Sequence, residues 1–139
     1  MKTLSVYTDG GSRGNPGPAA LGVVILEEDT PIHKIGKTLG ITTNNVAEYS
    51  AILASLEWIA QNRELIGDIS GINFFMDSLL ACQQLKGIYK IKQPHLQEIM
   101  IKIRKIEIAL RVKITYTHIP REKNKEADRM VNLALDNNL

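Results

Sequence analysis

A chain of 139 residues, 44% of them apolar and 23% charged, is long enough to bury its own core without disulfide or metal staples. Its one cysteine, Cys82, excludes an internal disulfide and reads as a buried thiol of a cytoplasmic protein, and no apolar run or leader pattern marks a membrane span or signal peptide. The net charge of +2 hides an asymmetry, because residues 85–125 hold eleven Lys or Arg against three acids; this is either a basic face for a polyanion or a solvated helix face.

Leu4-Ser5-Val6-Tyr7-Thr8 is rich enough in β-branched and aromatic residues for a short strand. It is predicted to stop at Asp9, since Asp9 to Pro18 is a Gly/Pro cluster suited neither to a helix nor to a strand ladder. Ala20 to Glu27, a turn over Glu28 to Pro31 and a return over Ile32 to Ile41 predict a hairpin. Thr42-Thr43-Asn44-Asn45 offers several N-caps for a helix with the stripe Tyr49, Ile52, Leu53, Leu56, Ile59 and Ala60, and Trp58 at the edge of the core. Glu48 falls in its first turns and, taken alone, would merely answer the helix macrodipole.

Leu65 to Gly71 is predicted to be a loop. Ile72 to Met76 then repeats the opening pattern, a short apolar strand ending on an aspartate and a small residue, Asp77-Ser78. The helix between the hairpin and this strand makes a crossover unit, so the strand should run parallel to the first. As neighbours, they would bring Asp9 and Asp77 to one carboxyl edge, where open α/β sheets bind ligands.

Leu79 to Leu85 reads as a short helix broken by Gly87, and Pro94 opens a longer one with Leu96, Ile99, Met100, Ile103 and Ile106 on its apolar side. Val112 to Ile119 is the fifth strand, ended by Pro120. Asn124 is the expected N-cap of a last helix striped by Ala127, Met130, Val131, Ala134 and Leu135. That helix carries a fourth acid, Asp128, ten residues after His118. No internal repeat or linker interrupts the chain, so one domain over residues 1–139 is expected.

Asp9, Glu48, Asp77 and Asp128 thus have reason to converge, and four such groups without a counter-charge would repel and raise each other's pKa. Oxygen-only ligands select hard divalent cations, Mg²⁺ or Mn²⁺, over zinc. Two such ions about 3.5–4 Å apart can promote phosphodiester hydrolysis. No Cys/His set has zinc spacing, and the glycine cluster is not followed by the Gly-Lys-Ser/Thr of a nucleotide-binding loop.

Four stretches carry a family resemblance. Asp9-Gly10-Gly11-Ser12-Arg13-Gly14-Asn15-Pro16-Gly17, Thr42-Thr43-Asn44-Asn45-Val46-Ala47-Glu48, Asp77-Ser78 and His118 through Asp128 resemble, in order, the four motifs of ribonuclease H type 1. The resemblance implies a five-stranded mixed sheet of order 3-2-1-4-5 with helices on both faces. It also implies an endonuclease, a hydrolase that cuts the RNA strand of an RNA–DNA hybrid with two Mg²⁺, Mn²⁺ being a possible substitute. Asp9, Glu48, Asp77 and Asp128 match the family's metal-binding acids, and His118 its mobile histidine, which assists proton transfer or product release. Asn15, Asn44, Asn45 and Glu48 would touch RNA near the cut, with Gly10 and Gly11 allowing close approach, and Thr43 would help to grip a DNA phosphate. Capping and turn formation by the same residues are compatible with those roles. Only the RNA strand offers a 2′-hydroxyl by which it can be told from DNA.

Departures from the family pattern accompany the match. Ile41 stands where some members have arginine before the Thr-Thr-Asn motif, which weakens a phosphate grip. The chain passes through Gly87 to Pro94 without the basic, Trp-bearing helix of many bacterial members, leaving Lys86, Lys90 and Lys92 as a reduced substitute. No separate N-terminal hybrid-binding domain is expected, and hybrid affinity is expected to be modest and steeply salt-dependent. An independent monomeric enzyme without membrane attachment or an obligate protein partner is expected. The alternatives are a nucleic-acid-binding paralogue with little or no activity, a related polynucleotidyl transferase, or a domain of a reverse transcriptase.

Overall fold

The computed structural model describes residues 2–139. Five strands, β1 (Lys2–Ser12), β2 (Gly17–Glu27), β3 (Thr30–Thr42), β4 (Ile69–Met76) and β5 (Lys113–His118), form one sheet in the order β3-β2-β1-β4-β5. The β1-β2 and β2-β3 pairs are antiparallel, whereas β1-β4 and β4-β5 are parallel, as a helical crossover demands. The expected mixed sheet and strand order are therefore both present.

Helices α1 (Asn44–Gln61), α2 (Arg63–Ile66), α3 (Leu79–Leu85), α4 (Pro94–Leu110) and α5 (Lys125–Leu135) complete the chain. Alternation along the strands decides which side each covers. Leu4 and Val6 of β1, Val23 and Ile25 of β2, and Ile72 and Phe74 of β4 are fully buried in the main core with Ile52, Leu56 and Ile59 of α1 and Ile103 of α4. On the opposite face α5 packs Val131 and Ala134 on Ala20. Arg104, half-buried, grips Glu107 at 2.8 and 3.0 Å and also reaches the Leu85 carbonyl, while the Tyr116 hydroxyl donates to the same Glu107 carboxylate. This polar knot fastens α3, α4 and β5 together.

Several sequence expectations need correction. β1 does not stop at Asp9: residues 9–12 pair with residues 22–19 of β2, and only residues 13–16 leave the ladder. Glycine is tolerated there because helices press on both faces. A Cβ on Gly10 would lie 2.3 Å from the Ala47 carbonyl carbon and the Glu48 nitrogen, and one on Gly22 would lie 2.1 Å from the Ala127 oxygen. These positions need contact space, since neither has a positive φ. The region 65–71 is not a loop, for α2 ends at Ile66 and β4 starts at Ile69. The hairpin turn is shorter than expected, with Glu27 facing Thr30 across Glu28 and Asp29. Ala60 is exposed, so the buried stripe of α1 ends at Ile59. Finally, Asn124 occupies the N-cap position of α5, but its side chain makes no capping bond. Its amide is committed elsewhere.

Among the described residues no helix is long and apolar enough to cross a membrane. Cys82 is free and buried, as expected.

Candidate active site

Four elements deliver the four acids. The β1-β4 ladder ends at Tyr7 opposite Phe75, after which β1 continues with β2 alone. Asp9 and Asp77 therefore flank the point where two central parallel strands part. Glu48 enters from α1, whose start is fixed by Thr43: its Oγ1 accepts the Val46 N–H at 3.2 Å. Because α1 lies directly on Gly10, Glu48 is held next to the strand bearing Asp9. Asp128 comes from the first turn of α5, on the other face. Thr8, Asp9, Glu48, Met76, Asp77 and Ala81 line one small pocket at this rim.

Electrostatics distinguish this cluster from an ordinary acidic surface. Burial, and then the charges of Asp77 and Asp128, push the Asp9 carboxyl up from 3.8 to about 8. Burial also pushes Glu48 up to about 7; Asp77 adds to the shift, while the Ser78 hydroxyl opposes it. Glu48 is thus no simple partner of the helix dipole, which would favour its ionised form. Among the described residues, none of the four acids has a Lys, Arg or His nitrogen within 4.0 Å; the ion pairs of the molecule lie elsewhere. Among the described residues no group of three or more Asp, Glu, His or Cys side chains stands close enough together to hold a metal ion as it is. Oxygen donors with no protein cation fit a hard divalent ion.

The flanking residues are tied together. Asn15 Oδ1 accepts the Asn44 N–H at 3.1 Å, and Asn44 Oδ1 accepts the N–H and hydroxyl of Ser12 at 2.8 and 3.0 Å. The oxygens of both amides thus serve the fold, and their NH₂ groups make no hydrogen bond among the described residues. Gly10 admits α1, a Cβ added to Gly11 would lie 3.7 Å from Val131 of α5, and both glycines are half-buried at this rim. Arg13 pairs with Asp136 at 2.7 Å, linking the 13–16 turn to the end of α5. His118 is exposed at the end of β5, opposite Met76 and so one residue from Asp77.

One residue escaped the sequence reading. Asn124 is 1% exposed, and its Nδ2 donates to the Thr8 carbonyl at 2.9 Å and to Asp77 Oδ2 at 3.3 Å. Nothing in the local pattern separates it from a helix cap. A larger hollow, about 620 Å³, lies between β1, β2, β3 and the start of α5, with Asn124 in its lining.

A five-stranded sheet in this order, with acids gathered where its central parallel strands part, defines the ribonuclease H-like class. The reverse transcriptase-like family matches residues 7–134. A ribonuclease HI of Halobacterium salinarum is 39% identical over 134 residues, covering 96% of this chain and 64% of that protein. The bifunctional protein Rv2228c of Mycobacterium tuberculosis is 36% identical over 138 residues, covering 98% of this chain but 36% of its own length. LC11-RNase H1, isolated from compost by a metagenomic approach, superposes with a TM-score of 0.88 at 44% identity, over 99% of this chain and 98% of that one. The same protein in complex with an RNA/DNA hybrid superposes with a TM-score of 0.89 at 44% identity, over 96% of this chain and 97% of that one. The chain belongs to the ribonuclease H type 1 family, in its compact form: α3 ends at Leu85 and α4 starts at Pro94 with no helix between them. It spans about a third of the mycobacterial relative and under two thirds of the halobacterial one.

Proposed function

We propose that residues 1–139 act as one catalytic domain, a cytoplasmic, monomeric ribonuclease H that hydrolyses the RNA strand of RNA–DNA hybrids with two Mg²⁺, or Mn²⁺ in their place. The observation that carries this reading is the gathering of Asp9, Glu48, Asp77 and Asp128 without a protein cation, with Asp9 pushed up to about 8. The hybrid seen with a 44% identical relative supports the choice of substrate.

Asp9, Glu48, Asp77 and Asp128 would hold the ions. Bound there, such ions activate a water and stabilise the leaving oxygen of a phosphodiester. The pocket at the acids is small and set on a sheet edge, which suits a backbone laid across it better than an enclosed small molecule. Asn15, Asn44 and Asn45 would orient the RNA strand, the first two through amide NH₂ groups that the fold leaves over, against 2′-hydroxyls and base edges. Gly10 and Gly11 let the backbone approach the substrate. Thr43 accepts a bond at its cap but keeps its hydroxyl proton, which it can donate to a DNA phosphate. His118, exposed beside Asp77, would take or give a proton as product leaves.

The deciding experiment incubates end-labelled hybrid, duplex RNA and duplex DNA with Mg²⁺, Mn²⁺ or EDTA. Cleavage of the hybrid's RNA strand alone, abolished by EDTA, is expected. Hybrid binding without cleavage under every metal would instead make the chain a nucleic-acid-binding paralogue.

A further inference from the structure

Asn124 stands where three parts of the acidic rim meet. Its backbone carbonyl accepts the Asp128 N–H at 3.2 Å and so starts the turn that carries that acid. Its side-chain NH₂ spans from the Thr8 carbonyl, adjacent to Asp9, to the Asp77 carboxylate. Both of those acceptors lack a proton to give, which fixes the orientation of the amide. In that orientation Asn124 Oδ1 is buried and finds no donor among the described residues. An acceptor buried without a donor destabilises the fold. A residue kept only to start a helix would turn its oxygen toward the free N–H groups of α5, as Asn does at an ordinary N-cap.

We infer that Asn124 is a positioning residue for the metal site, its NH₂ setting the separation of Asp9 and Asp77 while its backbone places Asp128. The inference rests on the nuclease reading for its consequence but not for its test. Glu48 is untouched by this clip, so the effect should fall on ion binding rather than on the grip on substrate. Asparagine alone suits the position: aspartate has the same shape and caps helices equally well, yet would set a third acceptor against the Thr8 carbonyl and Asp77.

The test compares wild type, Asn124→Ala, Asn124→Leu and a packing control on α5, Val131→Ala. Mn²⁺ binding by calorimetry, the Mn²⁺-induced rise in Tm, and the Mn²⁺ dependence of hybrid cleavage with KM and kcat separated are the readouts. Both Asn124 variants should need at least three-fold more Mn²⁺ in calorimetry, with hybrid KM within two-fold of wild type, while Val131→Ala loses stability but keeps the wild-type midpoint. A midpoint less than three-fold above wild type in Asn124→Leu, which keeps the branching and fills the site without adding charge should Asn124→Ala fail to fold, overturns the inference. A wild type that binds Mn²⁺ without cutting the hybrid overturns the nuclease reading alone, and calorimetry still decides the role of Asn124. A wild type that takes up no Mn²⁺ overturns both.

Discussion

At the scale of single residues, Asp9 makes the sharpest predictions. Its folded pKa, about 8, lies above the 3.8 expected of a free aspartate, and Glu48 is raised in the same sense. A raised carboxyl favours folding below its unfolded pKa and loses that contribution as pH rises through the folded value. The metal-free protein should therefore lose stability between about pH 4 and pH 8, and saturating Mg²⁺ should flatten the fall, because the ion binds the ionised form. Asp9→Asn should raise the Tm in EDTA at pH 8 while lowering kcat by about a thousand-fold or more, with hybrid binding retained. Thermal melts across pH, with and without EDTA, check the first outcome, and single-turnover cleavage checks the second. Ile41 offers a gain instead. It is 78% exposed on β3, two residues before the Thr43 cap. Ile41→Arg should tighten hybrid binding several-fold at low salt and much less at high salt, as measured by fluorescence anisotropy.

Among the secondary elements, the contact between β1 and α1 matters most. Gly10→Ala would drive a methyl group into the Ala47–Glu48 backbone, where a Cβ would stand 2.3 Å away. Overpacking of that kind costs about 1–3 kcal/mol and would move Glu48 from its partners, so Tm and cleavage should fall together. This contact also shows what the sequence could and could not convey. Asp77 and Asp128 were legible because one directly follows a short apolar strand and the other falls in the first turn of a helix, patterns that survive in one dimension, whereas Asp9 lies inside a strand that runs past it. Gly10 looked like a chain-breaker because a glycine demanded by a neighbouring helix is spelled the same as one demanded by a turn. The strand continuing through Ser12 was hidden for that reason. Asn124 was legible only in part: it takes the N-cap position that an asparagine before a helix signals, and only the fold reveals that its amide faces Thr8 and Asp77. Residues 65–71 lacked the length to show a one-turn helix and the start of a strand by periodicity.

Across the whole molecule, the uneven charge takes shape. Lys86, Lys90 and Lys92 are all exposed on the connection between α3 and α4, whereas Arg104 is committed to Glu107 and the Leu85 carbonyl. Replacing the three lysines with glutamine should weaken hybrid binding uniformly across sequences and reduce the slope of log K against log salt by up to about three units. An unchanged slope in a salt titration would remove them from the interface. The parting of β1 from β4 beyond Tyr7 and Phe75 has a further effect. Asp9, Glu48, Asp77 and Asp128 belong to four elements spread over 120 positions of the chain, joined only by long-range pairing. No fragment or half-finished chain emerging from a ribosome can gather the set. The full set of carboxylates is complete only once α5 docks on the sheet.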